Sequence, residues 1–235
     1  MVKQCALEML MLKPLESILI AILLGGLPAN AQSVVCPDPR FVILSDDGTP
    51  AHRVCRIAQE AAERLAACNV PLSDTRRIRI ELMPEMLEAC LGLYHCGKDL
   101  IQIPTPDTMQ SMRAADSSLS HVPPEPFFRG ILTHELAHAA FDAQPCPFES
   151  CITASEYIAY TMQIMSLPAA DIATFESGLK MHKKISRDAL NPITLYMNPD
   201  IFLSLAWIHL HQRSDPCAYI GDVMQGRIRM DYERH

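Results

Sequence analysis

Residues 131–141 read ILTHELAHAAF, and no other stretch restricts the fold as tightly. Ile131, Leu132, Leu136, Ala139, Ala140 and Phe141 surround His134, Glu135 and His138, so a helix through this segment is apolar on nearly every side and must be buried. From about Phe127 to Ala143 neither proline nor a β-branched run interrupts it, and Gln144-Pro145 provides the stop. His134 and His138 stand at i and i+4, which sends both imidazoles out of one face a turn apart. Glu135 lies beside them. Buried polar groups without partners cost on the order of a few kcal/mol each, so whatever fold this chain adopts must pair these three side chains or place a cation between them.

Two imidazoles one turn apart suit a tetrahedral metal such as zinc, and Glu135 is then placed to take a proton from water at that metal. A catalytic zinc site needs a third protein donor and one open position. Glu156 is the first choice, eighteen positions after His138 and near the start of a second helix expected over about Thr153 to Ser166. Three alternatives stand beside it. Thr153-Ala154-Ser155-Glu156 fits a capping box, in which Glu156 merely satisfies a helix-start amide. Asp142, four beyond His138, and Glu149, in the loop between the helices, are rival ligands.

The rest of the chain supplies a framework for that helix pair. Residues 50–68 carry Val54, Ile57, Ala58, Ala61, Leu65 and Ala66 at helical spacing, with Thr49-Pro50 as a start and Asn69 and Pro71 as a stop. Arg77-Ile78-Arg79-Ile80-Glu81-Leu82 alternates strictly and predicts a half-buried strand, while 83–89 is ambiguous. Gly92 to His95 and Leu100 to Ile103 flank Gly97-Lys98-Asp99 as a hairpin. Residues 107–126 are polar and proline-tipped, which predicts a long surface loop. Residues 168–235 look mostly helical: Ala170 to Lys184, a break at Asn191-Pro192, then Ile201 to His211. This order predicts an α+β fold with a helical C-terminal part. His209 and His211, two apart on a helix, make a poor ligand pair.

The N-terminal segment reads differently from all of this. Residues 11–31 combine Lys13, an apolar core from Ile18 to Leu27 and Ala29-Asn30-Ala31, the layout of a secretory signal peptide with Met11 as an alternative start. Removing residues 1–31 leaves 32–235, enough for a single domain with a sizeable core or for one domain and a small lobe. Its net charge stays at −7, because the leader's two lysines and two acids cancel. That acidity, with no basic run against it, argues against a nucleic-acid partner, and no second apolar stretch is long enough to span a membrane. Eight cysteines remain once Cys5 is removed. Their even number fits up to four disulfides in an exported chain, periplasmic or extracellular. Cys55 and Cys68 lie about 20 Å apart along one helix and must pair elsewhere. Cys146–Cys151, closing CPFESC, is the best pairing and Cys90–Cys96 a second. No CxxC pair occurs, which speaks against a cysteine-ligated zinc site.

HELAHA followed by a glutamate-bearing helix, after a hairpin ending in DLIQIP, resembles the gluzincin branch of the zincin metallopeptidases over roughly residues 75–165. The resemblance implies a zincin-like catalytic domain with a small mixed or antiparallel sheet over about 32–126, active-site and glutamate helices over 127–166 and a helical tail over 167–235. It implies one zinc ion per chain held by His134, His138 and Glu156, Glu135 as general base, and a peptide or protein substrate. Leu100, Ile101, Gln102 and Ile103 then form the edge strand over the cleft, pairing with an extended substrate. A tyrosine or histidine from the C-terminal part supplies the oxyanion donor, with Tyr160, Tyr196 and His211 as candidates. Two other classes remain: a zincin-fold module that binds peptide without cleaving it, and a structural exported protein without metal. The intact Glu135 favours the enzyme, since a binding module has no chemical need of it.

Overall fold

The computed structural model describes residues 32–45, 50–86 and 90–231. The signal-peptide reading of residues 1–31 therefore lies outside the described residues, as do 87–89 of the ambiguous segment.

An alternating strand needs a partner surface for its apolar face, and here five strands share one. The sheet contains β1 (Gln32–Val35), β2 (Phe41–Ser45), β3 (Ile78–Met83), β4 (Leu93–His95) and β5 (Leu100–Pro104), in the spatial order β1-β2-β3-β5-β4. It is mixed: β2, β3 and β5 run parallel, while β1 and β4 are antiparallel to their neighbours. The register aligns Phe41 with Ile78, Ile43 with Ile80, Ile80 with Ile101 and Leu82 with Ile103, and all of these side chains are buried. The period-2 alternation thus gives the sheet one apolar face. On the other face Gln102 Nε2 donates to Glu81 Oε2 at 3.0 Å.

That apolar face is covered by α1 (Ala51–Ala67) and α3 (Pro124–Phe141). α4 (Ile152–Met165) packs on the far side of α3, and α7 (Pro199–His211) and α8 (Pro216–Met224) pack on α4. Being sandwiched between sheet and α4 is why α3 is apolar all round. One buried core runs from Cys36 to Met230. The architecture is α+β, with a small sheet and a helical C-terminal part.

Several elements differ from the sequence expectation. β1 and β2 were not foreseen; they form a hairpin whose turn is pinned by Arg40 on Asp38 and by the Cys36–Cys55 disulfide to α1. The expected loop over 107–126 contains α2 (Pro106–Met112), capped by the Thr105 hydroxyl, and the first turn of α3, opened by Pro124. Proline at the first helical position is already shaped for the helix and lacks only an amide that has no partner there. The helix expected over 170–184 stops early: α5 is Ala169–Ser177, ended at Gly178. α6 (Pro192–Met197) and α8 were not expected; Asn191 and Asp215 cap them.

Cys68–Cys217 joins the end of α1 to α8, and Cys146–Cys151 closes the loop between α3 and α4 as expected. Cys90 does not pair with Cys96. Cys96 carries a free thiol and Cys90 is bonded elsewhere, which corrects that assignment. The two residues sit at opposite ends of β4, and an extended strand holds its ends apart rather than closing a loop between them. No helix among the described residues is long and apolar enough to cross a membrane.

Candidate metal centre

α3 and α4 meet along matched stripes. His134 and His138 face α4, whose Glu156, Tyr160 and Gln163 at i, i+4 and i+7 face back. The two imidazole rings stand edge to face with centroids 4.7 Å apart and their Nε2 atoms 3.0 Å apart. Glu156 Oε2 lies 3.6 Å from His134 Nε2, and Oε1 lies 3.7 Å from His138 Nε2. His134, His138 and Glu156 therefore bring one ligand atom each to within 4.8 Å of one another. Donors sharing a tetrahedral zinc at about 2.0–2.1 Å stand about 3.4 Å apart, so these separations fit within a few tenths of an ångström.

The outer contacts favour the same use. His134 Nδ1 lies 3.0 Å from Gln163 Oε1, an acceptor, so Nδ1 carries the hydrogen and Nε2 of the neutral ring is bare. His138 Nδ1 is 2.8 Å from Ser155 Oγ. With Nδ1–H directed at Ser155, three lone-pair donors face one point, and a cation there satisfies all of them. Burial, reinforced by the neighbouring His138, holds His134 well below the ordinary imidazole range, and burial pulls His138 down to about 4. Both rings are thus neutral at pH 7, the form that binds metal.

Glu156 is not the helix cap. The amides of Thr153 and Ala154 at the start of α4 donate to Asp231 Oδ1 and Oδ2, each at 2.9 Å. An aspartate 78 residues away from Thr153 takes the amide that a capping box would have given to Glu156. Neither rival ligand joins the group. Asp142 Oδ2 accepts from Arg76, the Tyr94 hydroxyl and the Gly97 amide, and Glu149 is exposed in the CPFESC loop.

Glu135 points the other way, toward β4. The Tyr94 amide donates to its Oε2 at 2.8 Å, and a Cβ on Gly92 would stand 2.6 Å from its Oε1. Burial outweighs the Tyr94 amide and pushes Glu135 up to about 8. His134, Glu135, Tyr160 and Gly92 open on a cleft of about 440 Å³. A deep carboxyl that lines the same cleft as the His134 ring can hold, accept and return a proton.

The other expected site residues divide. Tyr160 lines the cleft, its ring 4.6 Å from that of His134. Tyr196 lies on α6 half exposed; its hydroxyl is pushed up by burial and then by the Glu156 charge. His211 is not part of the site. It pairs with Glu176 at 3.3 Å and stacks on Trp207, about 18 Å along α7 from the Pro199 end that lines the cleft. Leu100–Ile103 is not an edge strand. β5 lies between β3 and β4, with Ile101 and Ile103 fully buried, so the edge beside α3 is β4. Gly92, Tyr94, Ser155, Gln163 and Asp231 were not assigned roles from the sequence. Gln163 carried a signal: it is the lone amide in the apolar run YIAYTMQIM of α4.

The chain belongs to a family of unknown function, DUF6639, which matches residues 41–233. No curated protein and no solved structure matched it.

Proposed function

We propose that this chain is an exported zinc-dependent hydrolase of peptide bonds, built on a zincin-like domain. The observation that carries the reading is the convergence of His134, His138 and Glu156 on one point inside the fold, with Glu135 beside them at the head of a cleft. Two imidazoles and one carboxylate form a donor set suited to zinc. Zinc held by His134, His138 and Glu156 would supply Lewis acidity and a water that ionises near neutral pH.

The chain's own residues do the rest. Gln163 and Ser155 hold the two ligand rings by Nδ1, which fixes their orientation. Glu135 takes a proton at Oε1, the oxygen the Tyr94 amide does not occupy, and returns it to the leaving amine. The buried wall formed by Ile131, Phe127 and Leu203 limits the water that reaches that carboxyl. Tyr160 rather than Tyr196 is assigned to the carbonyl oxygen, because Tyr160 lines the cleft. Export rests on the leader pattern together with the disulfides Cys36–Cys55, Cys68–Cys217 and Cys146–Cys151, which persist in an oxidising compartment.

The test is zinc stoichiometry and turnover on three proteins side by side. Wild type should hold close to one zinc and cleave a denatured-protein substrate. Glu135→Gln should keep the zinc and lose cleavage, whereas Glu156→Ala should lose most of the zinc. Wild type with no bound zinc after metal-replete purification, or Glu135→Gln with unchanged turnover, would sink the proposal.

A further inference from the structure

Among the described residues, large exposed apolar side chains are not scattered. Val35, Ile193, Tyr196, Met197 and Ile201 are the ones among the described residues, and the last four fall within nine consecutive positions at the α6–α7 junction. Met197 is 82% exposed, the others in that group about half. Ile193, Tyr196 and Met197 stand at i, i+3 and i+4 of α6 and share one face, while Leu195 alone of that helix is buried. An exposed apolar cluster of this kind marks a contact surface, because isolated exposure needs no explanation but contiguous exposure does.

The cluster is continuous with the cleft. Met197 and Ile201 line it, together with Asn198 and Pro199 between them, and the same cleft reaches His134 and Glu135. Its charge is one-sided. Asp116 and Asp200 belong to the lining, and the lining contains no lysine or arginine. The Asp200 carbonyl accepts from Ser204 Oγ at 2.8 Å, while its carboxylate, which faces the cleft lining, accepts a long contact from Ser117 Oγ at 3.5 Å. An occupant must therefore offer apolar surface to α6–α7 and positive charge to the aspartates.

Resting on the hydrolase reading above, we infer that the α6–α7 rim and the cleft together bind an extended polypeptide segment that carries large apolar side chains flanked by lysine or arginine. A chain in extended form rises about 3.3 Å per residue with alternate side chains on one side, so it can lay apolar groups on the rim while a neighbouring residue passes the aspartates. Acidic segments are rejected by the same two carboxylates and by the net charge of −7.

The experiment uses full-length Glu135→Gln protein loaded with zinc and three fluorescent ten-residue probes read by anisotropy. One probe carries leucine and phenylalanine with two lysines, the second replaces the lysines by glutamates, and the third replaces the apolar residues by serine. The lysine probe should bind about tenfold or more tighter than either of the others at 0.15 M salt. Met197→Glu combined with Ile201→Glu, both at exposed positions, should weaken it about tenfold with zinc content unchanged. Asp116→Asn with Asp200→Asn should reduce the lysine-over-glutamate preference to about twofold while leaving the apolar preference. Equal binding of all three probes, or rim variants that bind as the parent does, would overturn the inference. So would rim-dependent partition onto phosphatidylglycerol vesicles without any probe preference, since that assigns the rim to a lipid surface. Zinc content measured on the same samples separates the two ideas. Bound zinc without probe preference removes only this inference, and probe preference without zinc supports the surface while removing the hydrolase.

Discussion

Gly92 is the residue whose smallest change should cost the most chemistry. Adding one methyl group there places a carbon 2.6 Å from Glu135 Oε1, 2.8 Å from Cγ and 2.9 Å from Cδ. Ordinary contacts begin near 3.4 Å, so the carboxyl must retreat by about 0.8 Å or β4 must lift away from α3. Either movement strains the 2.8 Å bond from the Tyr94 amide, a hydrogen bond worth about 0.5–1.5 kcal/mol to a carboxyl that burial keeps largely neutral. A displacement of that size at a proton-transferring group costs about 10²-fold in rate. Gly92→Ala should therefore lower kcat/KM about 10²-fold. Zinc should stay, because the ligand atoms of His134, His138 and Glu156 are held from α4 and not from β4. The assay is kcat/KM on a peptide substrate, with zinc content and urea unfolding measured on the same preparation. Activity within about twofold of wild type would refute the argument. Zinc lost in parallel with activity would refute it too, since the defect would then be the site and not Glu135.

Three further outcomes follow from the contacts around the site. Gln163→Leu removes the acceptor that fixes the His134 tautomer, and should weaken zinc binding about 10–100-fold in a chelator competition; unchanged affinity would show that the ring needs no such partner. Asp231→Ala frees two amides at the start of α4 and should cost about 1–2 kcal/mol in urea unfolding, with weaker zinc retention than wild type. His209 is buried, accepts from Arg213 at Nε2 and donates through Nδ1 to the Tyr157 hydroxyl, and burial followed by Arg213 pulls it down to about 4. Its folded value is below the unfolded one of about 6.5, so the contribution is complete above pH 6.5 and is lost as pH falls toward 4. The loss amounts to about 3 kcal/mol at most, and His209→Gln should unfold with a shallower pH dependence across that window; parallel wild-type and variant curves would contradict it.

How far the sequence alone reached depended on whether the deciding contact was local. α3 was legible because its apolar flanks and its i, i+4 histidines sit within one turn of each other. The α1 helix and the alternation of β3 were legible for the same reason. In the sequence Glu156 fits both a ligand and a helix cap, and the contact that separates the two is made by Asp231, far along the chain. The interior place of β5 in the sheet likewise depends on a distant partner. Alternation identifies two hairpin strands and says nothing about which of them has its other edge occupied; β3 takes that edge of β5. The three-residue length of β4 was the available hint, since very short strands are common at sheet edges. In residues 107–126 the polar composition hid two helix starts, although Thr105-Pro106 has the capping hydroxyl and first-turn proline of one.

The arrangement also explains why the site sits between α3 and α4 and not on a loop. Each buried polar group there is answered from a different part of the chain: His134 by Gln163, His138 by Ser155, Glu135 by Tyr94, and the start of α4 by Asp231. Three of these partners lie on or next to the helix that carries Glu156, and α4 in turn is held by the Cys146–Cys151 loop and by the tail. Packing α4 against α3 therefore brings Glu156 to the two histidines and gives each ring its Nδ1 partner. Without α4, His134 and His138 would be buried with neither Nδ1 partner nor carboxylate, at a cost on the order of a few kcal/mol. Assembly of the His134, His138 and Glu156 donor set in this helix pair thus depends on α3–α4 packing.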